Sequence, residues 1–330
     1  MVKASSPELI IWAVSDGRAG IEAQALGLAE AVARQRSARI VVKRIGWKAG
    51  LARLPWWLNA FPRMALRSDS PVAPPWPDIW IATGRATLPL SLRMRRWSGG
   101  RTFVVQTQHP RAPLAPFDLI VPPAHDELAG PNIFPIAGAP NRLTPARMAA
   151  DVVRFQDLLA PLPRPRVAVI VGGKSRAFDL PEARAADMGR EIAEAVTAAG
   201  GSVLVSFTRR TPQAARVALR SALERVPGVI WDGQGDNPYF AFLGAADAVL
   251  VTEDSTNLAT DAAATGKPVH ILPMEGASAK FVRFHEDLQR RGVSRPFAGR
   301  LESWSYAPLA ETDRAAAQLL RRYDAKNLLR

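Results

Sequence analysis

Four short stretches combine glycines, hydroxyls and charged side chains directly after apolar runs, and each carries residue types suited to an anion. Ser15-Asp16-Gly17-Arg18-Ala19-Gly20 follows the run Leu9–Val14. Its glycines permit positive φ and close backbone approach, and the amides of a following helix favour an anion. Asp16 places a carboxylate at a strand end; equally, Ser15 or Asp16 could cap the helix. Gly172-Gly173-Lys174-Ser175-Arg176 follows Val167–Val171. A glycine pair with a cation and a hydroxyl suits a phosphate-binding nest, although the spacing of a Walker loop is absent. Thr208-Arg209-Arg210-Thr211-Pro212 follows Val203–Phe207. Two adjacent guanidiniums between hydroxyls suit phosphate, or they form a solvated helix start with Pro212 in its first turn.

The fourth stretch runs from Thr252 to Val269. Ser255, Thr256 and Asn257 surround an expected helix N-terminus, an anion site by backbone geometry. Asp261 lies about one helical turn after Asn257, where a carboxylate can accept hydrogen bonds from a pair of ribose hydroxyls. Glu253 and Asp254 would oppose a phosphate, so they are expected to point elsewhere or to cap the helix. Gly266 ends the helix, and Pro268 starts the next strand.

Metal and nucleophile chemistry finds little support. The four histidines (His109, His125, His270, His285) are far apart in sequence, with no H-x-x-x-H spacing, and no G-x-S-x-G elbow is present. No cysteine occurs among the 330 residues, which excludes disulfides and thiolate ligands and fits a reducing cytosol. His109, within Gln106–Pro110, and His125 follow first-half strands and could each serve a site or the core.

The elements that must position these loops alternate in type. Leu9–Val14, Ile40–Ile45, Ile79–Ala82, Thr102–Val105 and Leu119–Val121 read as buried strands, with a helix over Glu22–Arg34. Val167–Val171, Val203–Phe207, Val229–Trp231, Ala248–Thr252 and Val269–Leu272 read as a second set, with helices over Glu182–Ala199, Gln213–Glu224 and Leu258–Ala264. Strand–helix–strand alternation is the signature of a parallel sheet. Ala160-Pro-Leu-Pro-Arg-Pro165 is a stiff, extended stretch, placing the boundary between domains 1–160 and 161–330. A last helical pattern, Glu311–Asn327, could cap the second domain or cross back to the first. Two such sheets leave a cleft, and ligands of open α/β sheets bind outside the carboxyl ends of the strands.

The net charge is +13, from 43 basic and 30 acidic residues. Ala31–Ser68 contains nine basic residues and no acid, which implies a polyanionic partner. Within it, Trp47, Arg53, Trp56, Trp57 and Arg63 mix aromatic and cationic side chains as a membrane interface does. An irregular packed loop is the alternative. Nucleic acid would also attract the charge, but no nucleic-acid module is visible, and none is expected as a partner. No run approaches the roughly 18 apolar residues of a spanning helix. Pro7 and Glu8 interrupt any apolar leader. The expected location is cytoplasmic, peripheral at the inner membrane.

Together these segments resemble a known family. Val251–Val269 resembles the donor-nucleotide element of GT-B glycosyltransferases, such as the N-acetylglucosaminyltransferase that makes lipid II. Over nearly the whole chain the sequence is similar to the plant mitochondrial-fission ("elongated mitochondria") family and its bacterial members. The segments that carry this are Ser15–Gly20 with Glu22–Glu30, Gly84-Arg85, Gln106–Pro110, Gly172–Arg176, Thr208–Pro212, Asn237–Phe240, Thr252–Pro268 and Phe281–His285. The resemblance implies a GT-B-like α/β fold of two Rossmann-like parallel-sheet domains facing a cleft. It implies inverting, metal-independent transfer of a sugar from a nucleotide-sugar to a lipid-linked or envelope acceptor, with no cofactor. Gly172, Gly173, Lys174, Ser175, Arg176, Thr208, Arg209, Arg210, Ser255, Thr256, Asn257 and Asp261 would then bind the donor. Asp16 would be the general base, with His109 second, and Gly17, Arg18, Gly20, Gly84, Arg85 and Gln108 would line the acceptor side. Asp261 stands where a glutamate is usual, which shortens the reach to ribose by one methylene. The alternatives are a non-catalytic recruitment scaffold of the fission type and a nucleotide-sugar epimerase.

Overall fold

The structure is a computed structural model that describes residues 8–49, 51, 54–59, 61–70 and 72–328. It contains two compact units: residues 1–142 with 310–330, and residues 143–309.

In the first unit, β1 (Leu9–Ser15), β2 (Ala38–Arg44), β3 (Ile79–Ala82), β4 (Phe103–Gln106) and β5 (Leu119–Ile120) form a parallel sheet in the order β2-β1-β3-β4-β5. The central strands are almost wholly buried apolar runs, because helices cover both faces of such a sheet. β2, at the edge, alternates half-buried and exposed residues and carries Arg39, Lys43 and Arg44, charges that discourage edge pairing. Helices α1 (Ala19–Gln35), α2 (Pro62–Ala65) and α3 (Leu88–Trp97) complete the chain-order pattern.

The second unit opens with α4 (Pro145–Arg154), capped by the Thr144 hydroxyl, which accepts from Arg147 N at 3.1 Å, and the short α5 (Gln156–Leu159). There follow β6 (Arg166–Val171), β7 (Phe178–Asp179), α6 (Glu182–Ala198), β8 (Ser202–Phe207), α7 (Gln213–Leu223), β9 (Gly228–Ile230), α8 (Tyr239–Ala245) and β10 (Ala248–Thr252). Then come α9 (Thr256–Ala263), β11 (Val269–Leu272), β12 (Glu275–Gly276), α10 (Ala279–Arg290) and β13 (Ser294–Pro296). Six of these strands form a parallel sheet in the order β13-β11-β10-β6-β8-β9. β7 and β12 form a separate antiparallel pair.

The final helix, α11 (Glu311–Leu328), belongs to the first unit. Ala315, Ala316 and Leu319 are fully buried in one core with Leu28, Ala29 and Val32 of α1. Burying a leucine of this kind stabilises the arrangement by roughly 1.5–3 kcal/mol.

The units divide at Arg142/Leu143, not at the proline-rich stretch expected from sequence. Residues before the division are tied to α1 and α11: Asn141 N donates to Thr312 Oγ1 at 3.0 Å, and Arg142 Nε to Glu30 at 2.9 Å. Leu143 joins the core of β6, β10 and β11, and α4 packs on α8. The prolines lie inside the second unit, where Ser202 Oγ donates to Pro163 O at 2.7 Å and Arg164 pairs with Asp247.

Candidate functional site

Each sheet changes direction once, and the loops at that point carry many of the residues singled out by sequence; Thr208–Arg210 follow β8, and Gln108 and His109 follow β4. In the first unit the change falls between β1 and β3, where ligands of doubly wound sheets bind. The loop after β1 holds Asp16 and Gly17; that after β3 holds Gly84 and Arg85. Gly17 and Gly84 have φ of +78° and +88°, a region that a side chain makes costly. Ser15 Oγ accepts from Gly17 N at 3.1 Å, and Gln24 on α1 accepts from Gln108 Nε2 at 3.2 Å. That bond ties the loop after β4 to α1. Gly20 lies in the first turn of α1.

Asp16 does not cap α1. Residue 18 occupies the N-cap, with no side-chain cap bond. The Asp16 carboxylate is instead held by Arg18, accepting from its backbone N at 3.2 Å and its Nε at 2.9 Å. Nearby, Arg44 donates to both Glu22 oxygens at 2.7 and 2.9 Å, and this guanidinium holds the Glu22 carboxyl below its ordinary value. His109 accepts through Nδ1 from Arg111 N at 3.0 Å. A neutral imidazole accepting there carries its proton on Nε2, so it offers a donor rather than a base. Asp16, Arg18 and Arg85 line a cavity of about 850 Å³ together with Arg111, Trp47 and Trp56; His109 is not among its lining residues. Arg53 lies outside the described residues.

In the second unit the change falls between β6 and β10. The loops after these strands lock to one another across about eighty residues of sequence. Gly172 N donates to Thr252 Oγ1 at 2.7 Å, and Gly173 N to Asp254 Oδ2 at 3.1 Å. The Thr252 hydroxyl donates to Asp254 Oδ1 at 2.7 Å, and Arg210 Nη2 reaches Oδ2 at 2.7 Å. The approach requires glycine: a Cβ on residue 172 would stand 2.0 Å from Asp254 Oδ1, and one on residue 173 would stand 2.2 Å from Arg210 O.

This lock redirects several groups expected to meet a phosphate. Besides the two glycine amides, Lys174 N donates to Arg210 O at 3.0 Å and Ser175 N to Phe178 O at 2.9 Å. The Lys174 ammonium pairs with Asp179, and Ser175 Oγ accepts from Phe178 N at 3.0 Å. Arg176 and Arg209 are exposed. Thr208 N donates to Thr211 Oγ1 at 3.1 Å. Glu253 also turns back into the protein, accepting from Met274 N at 2.6 Å through its carboxylate, and His285 Nε2 donates to its carbonyl at 2.8 Å. Burial pushes His285 below its ordinary value.

The N-terminus of α9 keeps the expected form. Ser255 Oγ caps it, accepting from Leu258 N at 3.4 Å, and Thr256 and Asn257 open the first turn. Asp261 stands one turn on, half-buried, with Tyr239 Oη donating to its Oδ2 at 2.8 Å. Burial pushes the Asp261 carboxyl up to about 7, and pushes Tyr239 well above its ordinary value. Sequence reasoning named the segments holding Tyr239, Thr252 and Asp254 but gave these three side chains no binding role, and expected Asp254 to point elsewhere or to cap the helix; it instead binds the Gly173 amide and Arg210. The acidic pair directly after a strand was the available signal for Asp254. Among the described residues no three His, Cys, Asp or Glu side chains gather as a metal site, and no helix is long and apolar enough to cross a membrane.

The fold has solved counterparts. UDP-GlcNAc 2-epimerase from Methanocaldococcus jannaschii superposes with a TM-score of 0.55 over 96% of this chain and all of its own, at 10% identity. Os79 from O. sativa in complex with UDP superposes at 0.52 over 96% of this chain and 93% of its own, at 13% identity. At such identities the likeness concerns fold alone: two Rossmann-like parallel-sheet units, the GT-B-like arrangement.

Sequence relatives are nearer. The mitochondrial fission protein ELM1 of Arabidopsis thaliana is 31% identical over 76% of this chain, a match that spans 65% of the plant protein. The uncharacterized protein RP120 of Rickettsia prowazekii is 28% identical over 93% of this chain and 96% of its own length. The profile of the mitochondrial fission ELM1 family matches residues 19–323, and the chain belongs to that family.

Proposed function

We propose that the chain is a glycosyltransferase that takes a nucleotide-sugar donor in its second unit and a lipid-linked or envelope acceptor on its first. The observation that carries this reading is the grouping at the β6/β10 change of direction. There a capped helix N-terminus suits a diphosphate, and Asp261 one turn later suits a ribose. Arg209 and Arg176, exposed nearby, supply charge to a leaving diphosphate. In the transfer, the acceptor hydroxyl attacks the anomeric carbon, the nucleoside diphosphate leaves, and the hydroxyl proton passes to Asp16. Trp47, Trp56, Trp57 and Arg63 dock the first unit on an anionic membrane surface from the cytoplasmic side. Both fold neighbours carry UDP or UDP-GlcNAc in their names, which agrees with a nucleotide-sugar ligand.

A second reading, a non-catalytic recruitment scaffold, is favoured by one feature. Asp254 already occupies Gly173 N and Arg210, groups that a diphosphate would otherwise engage.

The test is thermal stability against a panel of nucleoside diphosphates and nucleotide-sugars. A ligand at a hundred times its dissociation constant adds about 2.7 kcal/mol, a shift of roughly 5–11 °C for a unit of this size. The transferase reading expects that shift with one nucleotide and its loss in Asp261→Ala. No shift with any nucleotide overturns it in favour of the scaffold. A new nucleotide-sugar released without acceptor would identify an epimerase instead.

A further inference from the structure

The cavity of the first unit is lined by residues of opposite character. Ile45, Trp47, Leu51, Leu54, Trp56 and Trp57, all from one stretch of sequence, are apolar. Asp16, Arg18, Arg85 and Arg111, from the loops after β1, β3 and β4, are charged. Asp16 and Arg18 neutralise one another at 2.8 Å. The Arg85 and Arg111 guanidiniums have no hydrogen-bond or ion-pair partner among the described residues, so the lining carries two uncompensated positive charges. No acid lies between Ala31 and Ser68 to offset them.

The stretch that supplies the apolar lining also exposes apolar side chains. Of the eleven large hydrophobic side chains that are exposed among the described residues, five fall within residues 54–64: Leu54, Trp57, Leu58, Phe61 and Met64. Trp57 is 63% exposed, Phe61 73% and Met64 74%. Such clustering marks a surface that meets another apolar phase. Arg63 stands beside it, its guanidinium 5.5 and 5.6 Å from the rings of Trp76 and Trp97, an arginine–tryptophan pairing suited to a bilayer interface.

We propose that this cavity binds the phosphate head of a lipid drawn from an anionic bilayer. Arg85 and Arg111 clamp the phosphate, the tryptophans of the lining cover the first carbons of the chain, and the exposed Leu58, Phe61 and Met64 sit among the surrounding lipids. The volume, about 850 Å³, falls in the range of small-molecule sites. A small polar phosphate would leave the lining tryptophans and the exposed Leu58, Phe61 and Met64 without a partner, whereas an amphiphile matches both. The proposal deepens the acceptor side of the reading above and rests on it only for the use made of the lipid; lipid capture itself needs no nucleotide.

The experiment is co-sedimentation of the full chain with vesicles of phosphatidylcholine, with and without phosphatidic acid. Arg85→Ala/Arg111→Ala is compared with Arg225→Ala/Arg290→Ala, which removes the same charge from the second unit. The proposal expects binding that depends on phosphatidic acid. It should fall about a hundredfold in the pocket pair, roughly tenfold per charge-assisted contact, and less than about twofold in the control pair. Leu58→Ser/Phe61→Ser/Met64→Ser, at exposed positions outside the cavity lining, should lose vesicle binding yet keep the melting shift caused by monomeric short-chain phosphatidic acid. Unliganded melting temperatures equal to wild type verify that the variants are folded. Equal losses in the two arginine pairs would reduce the effect to bulk charge and overturn the proposal. So would vesicle binding that ignores phosphatidic acid, or glycerol phosphate stabilising the protein as well as the short-chain lipid does. Asp261→Ala should bind vesicles like wild type, so failure of the nucleotide reading and failure of this one are separable.

Discussion

Replacing Asp254 by alanine should unlock the two loops of the second unit. The carboxylate is fully buried and receives three donors: Thr252 Oγ1 at 2.7 Å, Gly173 N at 3.1 Å and Arg210 Nη2 at 2.7 Å. Removing it leaves the buried Gly173 amide without its acceptor and the Thr252 hydroxyl without its target. Each orphaned group costs about 1–3 kcal/mol. Arg210, 40% exposed along its side chain, turns to water at little cost. The sum is about 4 kcal/mol, within the range for breaking a buried charged contact from one side. For a unit of this size that is a fall in Tm of roughly 8–16 °C. Calorimetry on Asp254→Ala, Arg210→Ala and the double variant would measure it. Arg210→Ala strands a buried carboxylate, so the double variant should be less destabilised than the sum of the singles. A Tm within 2 °C of wild type for Asp254→Ala, or strict additivity, would refute the claim that this carboxylate fastens the loops.

Gly173→Ala should be more damaging than most glycine substitutions, because the new Cβ would meet backbone atoms of Arg210 and Thr211 at 2.2–2.5 Å. We expect a loss of about 3 kcal/mol or more, read as reduced stability in urea; stability equal to wild type would show that the loops part freely. The Asp261 carboxyl, pushed up to about 7 by burial, binds its proton more tightly folded than unfolded. Its stabilising contribution is therefore complete below about pH 4 and is lost as pH rises through 7. Discounted for its half-buried position, the change is about 2 kcal/mol, so Asp261→Asn should flatten the fall of Tm between pH 5 and 7.5 and melt above wild type at pH 8. Parallel pH curves for the two proteins would sink that account.

The sheets are legible in the sequence because buried parallel strands leave continuous apolar runs. Ile79–Ala82, Ala248–Thr252 and Val269–Leu272 are placed in the structure as the sequence reads them. The helices α4, α8 and α10 were not anticipated. α8 is a seven-residue aromatic segment, too short for helical periodicity to declare itself, and α4 leaves no residue fully buried. The loops at the strand ends were also readable from glycine and hydroxyl types, whereas the cap of α9 is Ser255 rather than either of the acids offered for it, and the helix begins at Thr256 rather than Leu258.

What those loops do with their hydrogen-bonding groups was not readable. Gly173 and Asp254 are joined across 81 residues, and nothing in the local sequence of either names the other. The same holds for the division between units. Three prolines in six residues suggested a linker at 160–165, but burial decides a boundary, and Leu143 and α11 each found a core remote in sequence. Composition and periodicity thus determined the element types, the parallel sheets and which loops carry polar groups, since these depend on neighbours a few residues apart. Which donors are occupied, which arginines face a cavity, and where one unit ends were decided by tertiary structure, because these depend on contacts that form only when distant segments are packed together.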